Sequence, residues 1–189
     1  IAAGTPEIDS PAEAERLAWA GRWIVVPTVI DHGADADGAW LLTTAVACRS
    51  AVEPRWIARP TIAAAAIGRG LRVLHDALPV SGCPFDWSIE RRLTGATSDL
   101  GPPPSIDRLV VCHGDACAPN TLLHDDGTFA AHVDLGRLGV ADRWADLAVA
   151  AWSTEWNYGP GYDDLVYSGY GIAPDAERIT FYRRLWDAE

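Results

Sequence analysis

Apolar residues recur at helical spacing over PAEAERLAWAGRW (11–23), where Ala14, Leu17 and Ala20 share one face. Ser10 stands at an N-cap position and Pro11 at the first helical one, so the pattern predicts a helix. VVPTVIDHG (25–33) and AWLLTTAVA (39–47) are apolar and β-branched, and DADG (35–38) separates them as a turn, which predicts two sheet strands. TIAAAAIGRGLRVLHDAL (61–78) is alanine-rich with helical periodicity; its Gly68 and Gly70 suit a buried helix packed closely on its neighbours. CPFDWSIERRL (83–93) reads as a turn and short helix, and LTGATSDLGPPPSID (93–107) as a linker without periodicity. RLVVCHGD (108–115) is an apolar strand ending in a polar corner, and TLLHDDGTFAAHVDLG (121–136) is strand, Asp-Asp-Gly turn, strand. Two amphipathic helices, 141–153 and 174–189, complete the chain, and no internal repeat occurs.

Composition narrows the functions this pattern can serve. The 189 residues are 49% hydrophobic, with nine tryptophans and no apolar run of the ~18 residues that would span a bilayer. A globular protein with no membrane partner is expected. Four scattered cysteines form no disulfide framework and the amino-terminal residues lack a signal-peptide pattern, which together predict a cytoplasmic location. A formal charge of −11 argues against a nucleic-acid partner and favours a cationic small molecule. Methionine and lysine are both absent, and the missing methionine predicts that the translated chain has further residues. Trp19, Trp23 and Trp40 are expected in the core.

The order of the polar residues between Val111 and Arg137 is the most specific signal. Asn120 follows Asp115 by five positions and Asp134 by 19, with the hairpin between them. An antiparallel hairpin of that length returns Asp134 to the level of Asn120, so that an amide oxygen and a carboxylate can grip one divalent cation while Asp115 stays free beside them. Phosphoryl transfer needs this set: one Asp to orient and deprotonate a hydroxyl, and an Asn and a second Asp to hold Mg²⁺ against nucleotide phosphates. His113-Gly114-Asp115, Asn120 and Asp134-Leu135-Gly136 follow the H-R-D, Asn, D-F-G order of protein kinases. Alone, Asp115 would read as a turn or capping residue, and Asp142 and Asp146 as capping or network residues. Cys112, Cys117, His124 and His132 do not have the short ligand spacings of a structural zinc site.

HGDACAPN, VDLGRLGVADRWADLA, CPFD and GIAPDAERITFYRRLWD together resemble the aminoglycoside 3′-phosphotransferases, a kanamycin-kinase type within the kinase-like superfamily. The resemblance implies an α+β, two-lobed protein-kinase-like fold. Residues 1–47 would be an incomplete amino-terminal nucleotide lobe and hinge, and 48–189 a mainly helical catalytic and substrate lobe built around a β-hairpin. It implies ATP and Mg²⁺ as cofactors and a small-molecule acceptor hydroxyl, with Asp115 as catalytic aspartate and Asn120 and Asp134 as metal ligands. His113 would support the loop. Glu13 would be the helix glutamate that pairs with a phosphate-binding lysine, and Thr44, Ala45 and Val46 the hinge that receives adenine. Arg137 would help near the phosphates or form part of the site wall, and Glu155, Asp187 and Glu189 would face the acceptor. Neither a glycine-rich phosphate loop nor a strand lysine is present, which the resemblance assigns to residues preceding Ile1; further residues are expected near 93–107. Trp156 and Asn157 stand where acidic residues are expected, so a kinase of another small metabolite remains an alternative, as does a non-catalytic kinase-like binding module. A metal-dependent phosphate-ester hydrolase ranks below both.

Overall fold

In a computed structural model of the chain, residues 10–35, 38–93 and 100–188 are described. Helix α1 (Ser10–Ala20) is followed by an antiparallel hairpin, β1 (Val29–Asp35) and β2 (Gly38–Thr43). The chain then crosses to β3 (Arg49–Ser50), α2 (Pro54–Ile57), the long α3 (Pro60–Ala77) and α4 (Ile89–Leu93). β4 (Leu109–Cys112), a 3₁₀ turn (Ala118–Asn120), β5 (Thr121–Leu123), β6 (Phe129–His132) and β7 (Gly139–Asp142) follow. α5 (Trp144–Tyr158), α6 (Asp163–Tyr170) and α7 (Ala176–Asp187) close the fold.

Alanine and glycine let α3 act as the hub. A Cβ on Gly68 would sit 2.1 Å from the Val166 carbonyl oxygen and one on Gly169 2.4 Å from that of Ala65, so α3 and α6 touch backbone to backbone. Around that crossing Ile67, Leu71, Leu74, Trp144, Leu147, Val166, Tyr167 and Leu185 are fully buried. Two small antiparallel sheets, β3-β5-β6 and β4-β7, carry the polar corner between them.

Several expected boundaries move, each for a local reason. The strand expected from Val25 begins at Val29, because Pro27 has no N–H to give a ladder. The second strand ends at Thr43, and of the turn expected over 35–38, residues 36 and 37 lie outside the described ones. The helix expected over 141–153 starts only at Trp144: Ala141 and Asp142 belong to β7, and Asp142 accepts from the N–H groups of Trp144 (3.0 Å) and Asp107 (2.6 Å), ending the strand and starting the helix. α6, whose DDLVYSGY is polar and contains glycine, has no counterpart among the expected elements. The linker is described from Leu100 to Asp107 as irregular chain. Trp19 is core, but Trp23 and Trp40 are 43% and 44% exposed. Trp40 pairs with Gly33 across the hairpin and lies against it, instead of entering the core.

Candidate active site

The corner after β4 is assembled from the backbone up. Gly114 has φ +83°, and a Cβ there would come within 2.1 Å of the Arg137 carbonyl oxygen; a side chain is excluded by both conformation and space. That approach locks the His113–Asp115 corner against the Asp134–Arg137 segment. His113 is buried; its Nε2–H donates to the Val133 carbonyl (3.0 Å) and its Nδ1 accepts from the Asp115 N–H (3.3 Å), so one neutral tautomer satisfies both bonds.

Beneath the corner lies the carboxylate of Asp146, wholly buried. It accepts from the N–H groups of His113 (2.6 Å) and Gly114 (3.0 Å) and from His75 Nε2 (3.0 Å), while His75 Nδ1 meets the Tyr170 hydroxyl at 3.0 Å. Burial pushes the Asp146 carboxyl up, yet the His75 hydrogen bond and charge, with His113, outweigh it and hold the group below the usual carboxylate range. Asp146 is therefore the anionic floor of the corner. His75 has no sequence signal for this role, because its partners lie 71 and 95 residues away.

Above the floor, the hairpin brings the polar triad together. The Val133 N–H donates to the Asn120 carbonyl (3.0 Å), so Asp134 is one residue beyond Asn120's cross-strand partner. Asn120 Nδ2 donates to the Asp115 carbonyl at 3.0 Å, which fixes the side-chain amide. Asp115 Oδ1 is buried with no hydrogen-bond partner among the described residues. Asp134 holds φ at +60°, a conformation rare for a residue with a side chain, for which Asp and Asn are the usual exceptions. A buried acceptor, a fixed side-chain amide and a carboxylate on a left-handed backbone turn fit a divalent cation and an incoming hydroxyl.

Glu13 lies on the same side. Its Oε2 and Asp134 Oδ1 each lie 3.9 Å from the point where a Cβ on Gly136 would be. Burial and then the Asp134 charge raise its carboxyl above the ordinary value, against the Leu135 N–H that it accepts from. Glu13, Leu17, Leu41, Thr43, Val133 and Asp134 line a cavity of about 360 Å³ between the lobes. In the connecting segment the Thr44 N–H donates to the Thr28 carbonyl (2.9 Å) and the Val46 carbonyl accepts from the Cys48 N–H (2.7 Å).

The remaining expected residues are dispersed. The Arg137 guanidinium is stacked between Trp87 (5.6 Å) and Trp186 (5.2 Å). Glu155 forms an ion pair with Arg183 (3.5 Å), Asp187 is exposed at the end of α7, and Glu189 lies outside the described residues. Cys112, Cys117, His124 and His132 do not gather. Among the described residues the one metal-compatible group of three, His75, Cys112 and Asp146, is buried and already hydrogen-bonded, Cys112 to the Asp142 carbonyl.

An aminoglycoside 3′-phosphotransferase from Streptomyces fradiae is 36% identical over 98% of this chain and 82% of its own length. The chain belongs to the aminoglycoside phosphotransferase family. The profile of the phosphotransferase enzyme family matches residues 99–182, which include the corner, the hairpin and α5. The crystal structure of an aminoglycoside 3′-phosphotransferase of type VIII superposes with a TM-score of 0.76 at 32% identity, covering 95% of this chain and 80% of that one. A 3″-type aminoglycoside phosphotransferase from Streptomyces rimosus, solved with ADP and streptomycin, gives 0.73 at 29% identity, covering 93% and 80%. The kinase-like, two-lobed α+β fold is thus that of the family. The alignment to the Streptomyces fradiae protein runs over 225 positions, more than the 189 residues here, so that relative carries segments without a counterpart in this chain.

Proposed function

We propose that this protein transfers the terminal phosphoryl group of ATP, as its Mg²⁺ complex, to a hydroxyl of an aminoglycoside. The observation that carries the reading is the buried, unpartnered Oδ1 of Asp115 beside the Asn120 and Asp134 pair. Asp115 orients the acceptor hydroxyl and takes its proton as the oxygen bonds to phosphorus. Asn120 Oδ1 and the Asp134 carboxylate hold the metal, which when bound supplies charge neutralisation on the phosphates. Glu13 faces the same cavity and the Thr44–Val46 segment receives the base. The lobes divide near residue 47, and an ATP-dependent enzyme of this kind works in the cytoplasm. Relatives that are named aminoglycoside 3′-phosphotransferases, and one solved with ADP and streptomycin, support the nucleotide and the acceptor class.

The acidic chain suits a cationic acceptor, and Asp187 is open to it. Glu155 is held by Arg183, and Trp156 is exposed in the neighbouring position, which favours a second reading: an amine-bearing metabolite that stacks on the indole instead of pairing with a carboxylate. ADP release from Mg²⁺-ATP, with kanamycin, neomycin, streptomycin and a panel of amino alcohols, separates the two. Asp115→Ala should lower acceptor-dependent turnover by about 10²- to 10⁴-fold. Unchanged turnover in that variant would sink the proposal, and nucleotide binding without turnover on any acceptor would replace it with a binding module.

A further inference from the structure

A cleft of about 810 Å³, separate from the cavity at Asp134, opens where the inter-lobe segment meets the tip of the β5–β6 hairpin, between Val46, Cys48, Arg49 and Arg55 on one side and His124 and Asp126 on the other. In it Cys48 Sγ stands 3.3 Å from His124 Nδ1. Sheet register fixes this pair. Arg49 is paired with Leu123 in the antiparallel β3–β5 ladder, which places Cys48 opposite His124, and each residue is held again by its own backbone. The Cys48 N–H donates to the Val46 carbonyl (2.7 Å) and the His124 N–H to the Thr128 carbonyl (2.9 Å).

We propose that Cys48 is a thiol–disulfide exchange site with His124 as its base, open to a low-molecular-weight disulfide that enters this cleft. His124 Nδ1 takes the thiol proton. The Cys48 sulfur attacks one sulfur of the disulfide, the old S–S bond breaks as the new one forms, and the displaced thiolate leaves with the proton from the imidazolium. The protein thiol is oxidised to a mixed disulfide, and half of the small disulfide is reduced to its thiol.

The other three cysteines show why the exchange would be selective. Cys112 is wholly buried, and burial and then the Asp146 charge push its thiol well up. Cys117 is raised by burial and then by the Asp115 charge, and Cys83 by burial. Only Cys48 among the four combines an imidazole at hydrogen-bond distance with a place in an open cleft. The adduct would sit against Val46 and Ala47, at the joint between the lobes.

The test uses the full chain with oxidised glutathione, followed by intact mass and peptide mapping. We expect one adduct, at Cys48, reversed by dithiothreitol, absent in Cys48→Ser and formed about tenfold more slowly in His124→Gln. Both positions are outside the core, and near-ultraviolet circular dichroism of the variants checks that each keeps its fold. First modification at another cysteine, no adduct at all, or a wild-type rate in His124→Gln would each overturn the proposal. None of these readouts depends on phosphoryl transfer.

Discussion

Two hairpins of similar sequence pattern have opposite fates in this molecule. β1–β2 exposes Ile30 (60%), Leu42 (52%) and Trp40, and packs mainly on α1. β5–β6, one strand wider because β3 joins it, lies under α3, where Leu123 and Ala131 are fully buried and His132 is sealed in. Alternation of apolar and polar residues is enough to make either hairpin; what covers it decides whether it can hold a site rigid. Asn120 and Asp134, the proposed metal ligands, flank the covered one. The uncovered one contributes backbone and one cavity wall.

The largest test of that contrast is a pair of truncations. Leu123→Ala should cost about 2–5 kcal/mol of stability, as deletions from a sealed core do, whereas Leu42→Ala should cost under about 1 kcal/mol. Equal costs, read from urea unfolding, would mean that the outer hairpin is as well supported as the inner one. Next comes the floor. Asp146→Asn removes the anion that receives two backbone N–H groups and His75, and should cost about 1–3 kcal/mol while also lowering turnover, since the corner beneath Asp115 loosens. A variant of wild-type stability and activity would deny Asp146 that role.

A third effect is smaller and depends on pH. His132, buried between His113 and Phe129, is pushed down to about 3, by burial first and then by the neighbouring His113 ring. The unfolded chain takes up this proton near the ordinary value of 6.5, while the folded chain stays neutral until about 3. Stability is therefore complete above that ordinary value and falls as pH drops below it, by up to ~1.4 kcal/mol per pH unit. His132→Phe should flatten the acid limb of a stability-against-pH curve; an unchanged limb would mean that His132 is hydrated or protonated in the fold.

Much of this was legible in the chain itself. The five-residue step from Asp115 to Asn120, and the Asp-Asp-Gly turn that returns Asp134, defined the hairpin and its corner without any tertiary knowledge. Gly68 announced the close helix crossing. What periodicity could not supply was anything set by distant partners: the Trp87 and Trp186 faces that hold Arg137, the Arg183 that occupies Glu155, and the His75–Asp146 link beneath the corner. β7 was hidden for a related reason. Its GVAD runs into an apolar helix, and only the Asp142 bonds to Trp144 and Asp107 mark where one stops and the other starts.

The central claim divides labour within the triad: Asn120 and Asp134 hold the metal, and Asp115 serves the acceptor. Mn²⁺ affinity measured by electron paramagnetic resonance in the presence of ADP tests this directly across wild type, Asp115→Ala, Asn120→Ala and Asp134→Ala. The account predicts near wild-type affinity in Asp115→Ala and at least about tenfold weaker binding in the other two, on the scale of a lost metal-site group. Equal loss in all three, or none in Asn120→Ala and Asp134→Ala, would contradict it.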